Sequence, residues 1–90
     1  MKFEWDPHKD AANRRKHGVG FDEALTVFAD PLSTTFPDPD HSISEQRFLI
    51  IGMCAAGRLV VVAHAERKEG IRVISARLVT RRERRFYEEG

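Results

Sequence analysis

The chain has 90 residues, 41% of them hydrophobic and 32% charged, and a formal net charge of +1. That length predicts one domain spanning residues 1–90, with a small core and no room for a separate cofactor-binding module. No apolar run reaches the ~18 residues of a membrane helix, and MKFEWDPHKD is too acidic and too polar for a secretory signal. The lone Cys54 excludes an internal disulfide, so a cytoplasmic protein with no membrane partner is expected.

In chain order, residues 2–5 alternate as a short strand. Asp6 then caps a helix that Pro7 opens and Gly18 ends, over about residues 7–17. That helix is polar nearly all round, with Ala11 and Ala12 as its small apolar contacts, which places it on the surface or against a partner. Phe21, Ala24, Leu25 and Phe28 follow at i, i+3, i+4 and i+7, an amphipathic second helix stopped by Asp30-Pro31. Residues 32–36 read as an edge strand, and PDPDHS reads as a loop.

Residues 47–54 and 58–66 are predicted strands joined by a short Ala-Ala-Gly hairpin. A turn at Lys68-Glu69-Gly70 leads into a strand over 71–79. These strands are apolar on both faces in their middle, so helices should cover one face and part of the other. Strict alternation puts Ile71, Val73, Ser75 and Arg77 on one face and Arg72, Ile74 and Ala76 on the other. Arg67 falls with Leu59, Val61 and Ala63, whereas His64 and Glu66 point the opposite way. Thr80 and Glu83 form a capping box that starts a last helix over 80–89. The expected architecture is α+β: a short strand and two helices, then an antiparallel sheet of three to four strands and a C-terminal helix.

The charge is divided along the chain. Residues 1–45 hold 5 basic and 9 acidic side chains, and residues 58–90 hold 9 basic and 5 acidic, with every basic residue there but Lys68 an arginine. An arginine-rich half implies an anionic partner, nucleic acid first, because the guanidinium fork matches phosphate oxygens in pairs.

Glycine-rich phosphate loops, HExxH and paired cysteines are all missing. Asp38, Asp40 and His41 have the oxygen and nitrogen donors for a hard cation, but turn chemistry explains their spacing equally well. Cys54, inside an apolar strand, reads as a core residue rather than a nucleophile.

What remains is an arginine-rich constellation on the strands and last helix, from which a cleft between sheet and helix lined by Arg67, Arg77, Arg84 and Tyr87 is expected. Such a cleft suits a phosphodiester, with arginines neutralising the pentacovalent transition state and the phenol transferring a proton or stacking on a base. The plainer alternative for Arg77 is an ion pair to Glu83 that ties helix to sheet. His17, at a helix C-terminus, is either an acid–base group or a cap for the last carbonyls.

The segments FEWD, N-x-x-KHGVGF at 13–21, VF-x-DP at 27–31, RVISAR at 72–77 and ER-x-x-Y occur together and in order. Over nearly its whole length the chain resembles the BrnT family, toxins of the BrnT–BrnA type II toxin–antitoxin systems of bacteria. The resemblance implies a RelE-like α+β ribonuclease that needs no metal or organic cofactor and inhibits translation. It implies an RNA substrate and a cognate BrnA-like antitoxin in a heterotetramer, with operator DNA reached only through that antitoxin.

The family's charged motif positions fall on Lys16, His17, Arg67, Arg72, Arg77, Glu83, Arg84 and Tyr87. The site expected from both lines places Arg67 and Arg77 on the scissile phosphate, with Tyr87 and His17 for proton transfer. Lys16, Arg72, Arg81 and Arg84 are expected to bind RNA. The alternative reading is a non-catalytic nucleic-acid-binding regulator that uses the basic C-terminal helix.

Overall fold

Five strands make one mixed sheet in the order β1-β5-β4-β3-β2. They are β1 (Phe3–Glu4), β2 (Thr34–Pro37), β3 (Arg47–Met53), β4 (Leu59–Arg67) and β5 (Gly70–Leu78). The structure, a computed structural model, describes residues 2–38 and 45–90. β2, β3, β4 and β5 pair antiparallel, as alternation and short connections dictate. The expected antiparallel sheet of three to four strands is β2–β5, and the short N-terminal strand β1 joins its edge parallel to β5. The Ile71 amide donates to the Lys2 carbonyl at 2.8 Å. Gly70 permits that approach, since a Cβ there would run into the same Lys2 carbonyl oxygen.

Helix α1 (Pro7–His17) starts and stops as its sequence demands. The Asp6 carboxylate accepts from the His8 amide at 2.8 Å, and Gly18 closes the helix at φ +70°. Its attachment differs from expectation: Ala11 and Ala12 are exposed, and Asn13 is the buried residue. The Asn13 amide donates to the carbonyls of Val19 and Ala76, both at 2.8 Å, and accepts from the Ala76 amide at 3.2 Å. A polar helix is thus fastened to β5 by hydrogen bonds rather than by an apolar stripe.

The second helix is one α turn, α2 (Phe21–Ala24), that tightens into a 3-10 helix over Leu25–Ala29. At three residues per turn, Phe21, Ala24 and Val27 fall in one row, and all three are fully buried. Phe28 instead packs on Phe3 and His64, with ring centroids 5.1 and 4.9 Å apart. The core lies between these helices and one sheet face, formed by Ile50, Val60, Val62, Val73 and Ala76. Cys54 belongs to that core, as its sequence context indicated.

On the other face, Ile51, Leu59 and Val61 at one end are at most 3% exposed. There α3 (Arg81–Glu89) packs against β3, and its Phe86 ring meets Phe36 of β2.

Candidate active site

The register of β5 decides which arginines share a surface. Val61 pairs with Arg77, Ala63 with Ser75, His64 with Val73 and Ala65 with Arg72. Ile74 therefore has no partner on β4: it is a β-bulge, and it reverses the alternation of the residues that follow. Strict alternation separated Arg72 from Arg77; the bulge puts both on the face of Val61, Ala63 and Ala65. It also returns Val73 and Ala76 together to the core. The open face thus has a floor of small residues, Ala63 and Ser75, with an arginine at each end and Ala65 fully buried next to Arg72.

Arg77 is held by the start of α3. Its Nη1 and Nη2 donate to the two Glu83 carboxylate oxygens at 2.7 and 2.8 Å, and Nη1 also donates to the Leu78 carbonyl at 3.2 Å. Glu83 is meanwhile the reciprocal member of the capping box, accepting from the Thr80 amide while its own amide donates to the Thr80 hydroxyl. The Arg77 hydrogen bonds and these contacts hold the Glu83 carboxyl down at about 2, against the opposing effect of burial. The same pair raises the Arg77 pKa. The helix-to-sheet ion pair is therefore real, and it fixes the guanidinium plane while leaving Nε and one Nη2 hydrogen outside the pair.

Tyr87, one turn on from Glu83, donates its hydroxyl to Asp30 Oδ2 at 2.6 Å. Asp30 also accepts from the amides of Met53 and Leu32, at 2.7 and 2.9 Å. Burial pushes the Asp30 carboxyl up, but the bonds from Met53, Tyr87 and Leu32 outweigh it and hold the carboxyl low. The bond to Asp30, with burial, raises the Tyr87 phenol, so Tyr87 keeps its proton at neutral pH.

Not every expected site residue joins this group. Arg67 pairs with Gly70 at the turn end of β4, six residues along the strand from Val61. That is about 20 Å from Arg77, so no single cleft holds both. Arg67 instead pairs with Glu45 at 3.4 Å and Glu4 at 3.9 Å. Lys16 and His17 end α1, which packs over the core face, so the sheet separates His17 from Arg77 and Tyr87. The open-face group is Arg72, Arg77, Glu83, Arg84 and Tyr87. Arg72 is half-buried and, among the described residues, has no ion-pair partner; the exposed Arg81 and Arg84 have none either. Asp40 and His41 lie outside the described residues, and no metal-holding cluster occurs among the described ones.

Two groups were missed in the sequence. Asp30 read only as a helix stop, although a carboxylate after a buried turn is placed to collect amides. The Arg58–Glu23 pair links chain positions too far apart for local reading: Arg58 Nε and Nη2 reach the Glu23 carboxylate at 3.0 and 2.7 Å. The Cys54 thiol donates to the same carboxylate at 2.9 Å. The bonds from Arg58 and then Cys54 keep Glu23 below the usual glutamate range.

Comparison with known proteins agrees with this fold. Residues 5–83 match a family described as ribonuclease toxin, BrnT, of type II toxin–antitoxin systems. Among solved structures, the crystal structure of the Brucella abortus ribonuclease toxin BrnT matches with a TM-score of 0.70 at 24% identity. That match covers 90% of this chain and 99% of the other. No curated protein matches the sequence.

Proposed function

The chain belongs to the BrnT family of ribonuclease toxins of type II toxin–antitoxin systems, and from that premise we propose a metal-independent endoribonuclease that arrests translation by cutting RNA. The observation that carries the site assignment is the bulge at Ile74, which brings Arg72 and Arg77 onto one open face beside α3. In the reaction, a ribose 2′-oxygen attacks the adjacent phosphorus as its proton leaves to a base. The phosphorus–5′-oxygen bond then breaks, and the 5′-oxygen takes a proton. The charge that builds on the non-bridging oxygens is what Arg77 and Arg72 would stabilise, as fixed donors that need no reorganisation. Arg77 suits this because Glu83 already orients it. Glu83 itself, ionised down to about 2, is too weak a base to take the 2′ proton. Tyr87, kept protonated beside Asp30, suits the donor side of the transfer.

Arg81 and Arg84 would hold RNA alongside the scissile bond, and Arg67, Lys16 and His17 would contact it farther away. A cognate BrnA-like antitoxin would neutralise the protein in a cytoplasmic heterotetramer, with operator DNA bound only by the antitoxin. The four exposed arginines of α3, with no acidic partner among the described residues, also favour a second reading, a non-catalytic nucleic-acid-binding regulator.

The test is purified protein incubated with total RNA in EDTA, beside Arg77→Ala and Arg77→Lys. Wild type should cut, both variants should fail while remaining folded, and RNA carrying a 2′-deoxy residue at the cut site should resist. Intact RNA with wild type, together with normal growth when the protein is induced in cells, would leave the regulator.

A further inference from the structure

Beyond the phosphate-facing arginines, the end of the sheet next to Arg77 carries a cleft of about 300 Å3. Its floor is apolar: Leu59, Val79 and Leu78, the last 47% exposed on a hydrogen-bonded strand. Two arginines stand at its sides. Arg58 is rigid, because Nε and Nη2 grip Glu23 and Nη2 also donates to the Gly18 carbonyl at 3.0 Å. Arg84 has no ion-pair partner among the described residues, and it follows Glu83, the residue that orients Arg77. Gly57 forms part of the rim at φ +83°, where a Cβ would meet open space.

We propose that this cleft is a nucleobase-binding pocket that holds the base of a nucleotide next to the phosphate engaged by Arg77. A base has apolar faces, polar edges and an attached negative charge. The cleft offers an apolar floor, guanidinium planes able to stack on a base, and cations that neutralise its phosphate. Continuity favours RNA over a protein side chain here, since Leu59 and Val79 lie on the sheet face of Arg77 and Arg84 directly follows Glu83, the residue that holds Arg77. The pocket would choose where RNA is cut, whereas the arginine row acts on any phosphate. The inference rests on the ribonuclease reading, but it can fail separately.

The experiment uses the full chain with single-stranded RNA oligonucleotides carrying 2-aminopurine at successive positions, together with cut-site mapping on a long RNA. Wild type should change the fluorescence of the probe at one position beside the cut. Leu78→Asp and Arg84→Ala should each abolish that change and weaken RNA binding about tenfold, the effect of losing one stacked base. The loss should fall on KM more than on kcat, and the cut positions should redistribute. Arg84→Lys should recover salt-dependent affinity without recovering the cut preference, because an ammonium does not stack as a guanidinium does. Lys9→Ala on the exposed side of α1 should behave as wild type.

Unchanged fluorescence, KM and cut positions in a folded Leu78→Asp protein would overturn the pocket while leaving the ribonuclease intact. The same unchanged cleavage with loss of neutralisation by the antitoxin would overturn it in favour of a protein-docking site. A wild-type protein that cuts no RNA, yet still shows the position-specific fluorescence change, would keep the pocket and sink the catalytic reading. Absence of both signals would sink both.

Discussion

Substituting Glu83 by Gln tests whether Arg77, proposed to face the scissile phosphate, is oriented by α3. Glutamine keeps the size of the side chain and can still close the capping box, so helix initiation is preserved. What disappears is the charge opposite Arg77. A glutamate held at about 2 rather than 4.5 corresponds to about 3 kcal/mol for a pair shielded from water. The side chains of Arg77 and Glu83 are 40% and 24% exposed, so solvent screening reduces this to about 1–2 kcal/mol. For a domain of this size that is a fall in Tm of roughly 5–15 °C.

The pH dependence supplies the sign. Because the folded pKa is depressed, the stabilisation is full above 4.5 and is lost as pH falls from there through about 2. Thermal unfolding followed by circular dichroism between pH 7 and pH 2.5 should show wild type losing its advantage over Glu83→Gln across that window. Cleavage by the variant at pH 7 and permissive temperature should fall well below wild type, because Arg77 loses its fixed plane. A variant with wild-type Tm at pH 7 and a parallel pH curve would refute the energetic argument. Full cleavage by that variant would refute the orienting role.

Asn13→Ala should cost about 2–4 kcal/mol by urea denaturation, since it strands the Ala76 amide and the carbonyls of Val19 and Ala76. A loss below 0.5 kcal/mol would mean that water replaces the amide. Burial lowers the His64 pKa, so its contribution is full above 6.5 and is lost as pH falls through 6.5 toward the folded value. Wild type should therefore be less stable at pH 5.5 than at 7.5, and His64→Phe should narrow that difference. Tyr87→Phe removes the bond to Asp30 and should cost about 1 kcal/mol in Tm-derived stability. Its cleavage rate should drop more than its RNA affinity, and an unchanged rate would remove Tyr87 from the proton transfer.

Much of the geometry around Arg77 was legible because its signals are local. Thr80 and Glu83 announce the capping box within four residues, and Arg77 lies just upstream, so their ion pair was foreseeable as the plain alternative to catalysis. Tyr87 follows Glu83 by one helical turn, which placed the two together. The partner of Tyr87 was not foreseeable in that way, because Asp30 lies 57 residues earlier in the chain. Nor was the distance between Arg67 and Arg77, which depends on how β4 and β5 pair. His17 was drawn to the site by its chemistry and its place in the KHGVGF motif, whereas α1 packs on the core face, away from Arg77.

The sequence by itself determined the elements: where each helix starts and stops, which strands are apolar throughout, and the arginine-rich second half. These follow from caps, turn residues and side-chain periodicity, all of which act between neighbours. Tertiary structure alone decided that β1 joins the sheet in parallel, through a carbonyl that only Gly70 admits so closely. It also decided that one unpaired residue, Ile74, reverses the alternation of β5 and turns Arg72 and Arg77 to the same face. A bulge is set by the partner strand and by the core each side must fill, so a period-two reading of β5 alone assigns Arg77 to the wrong side.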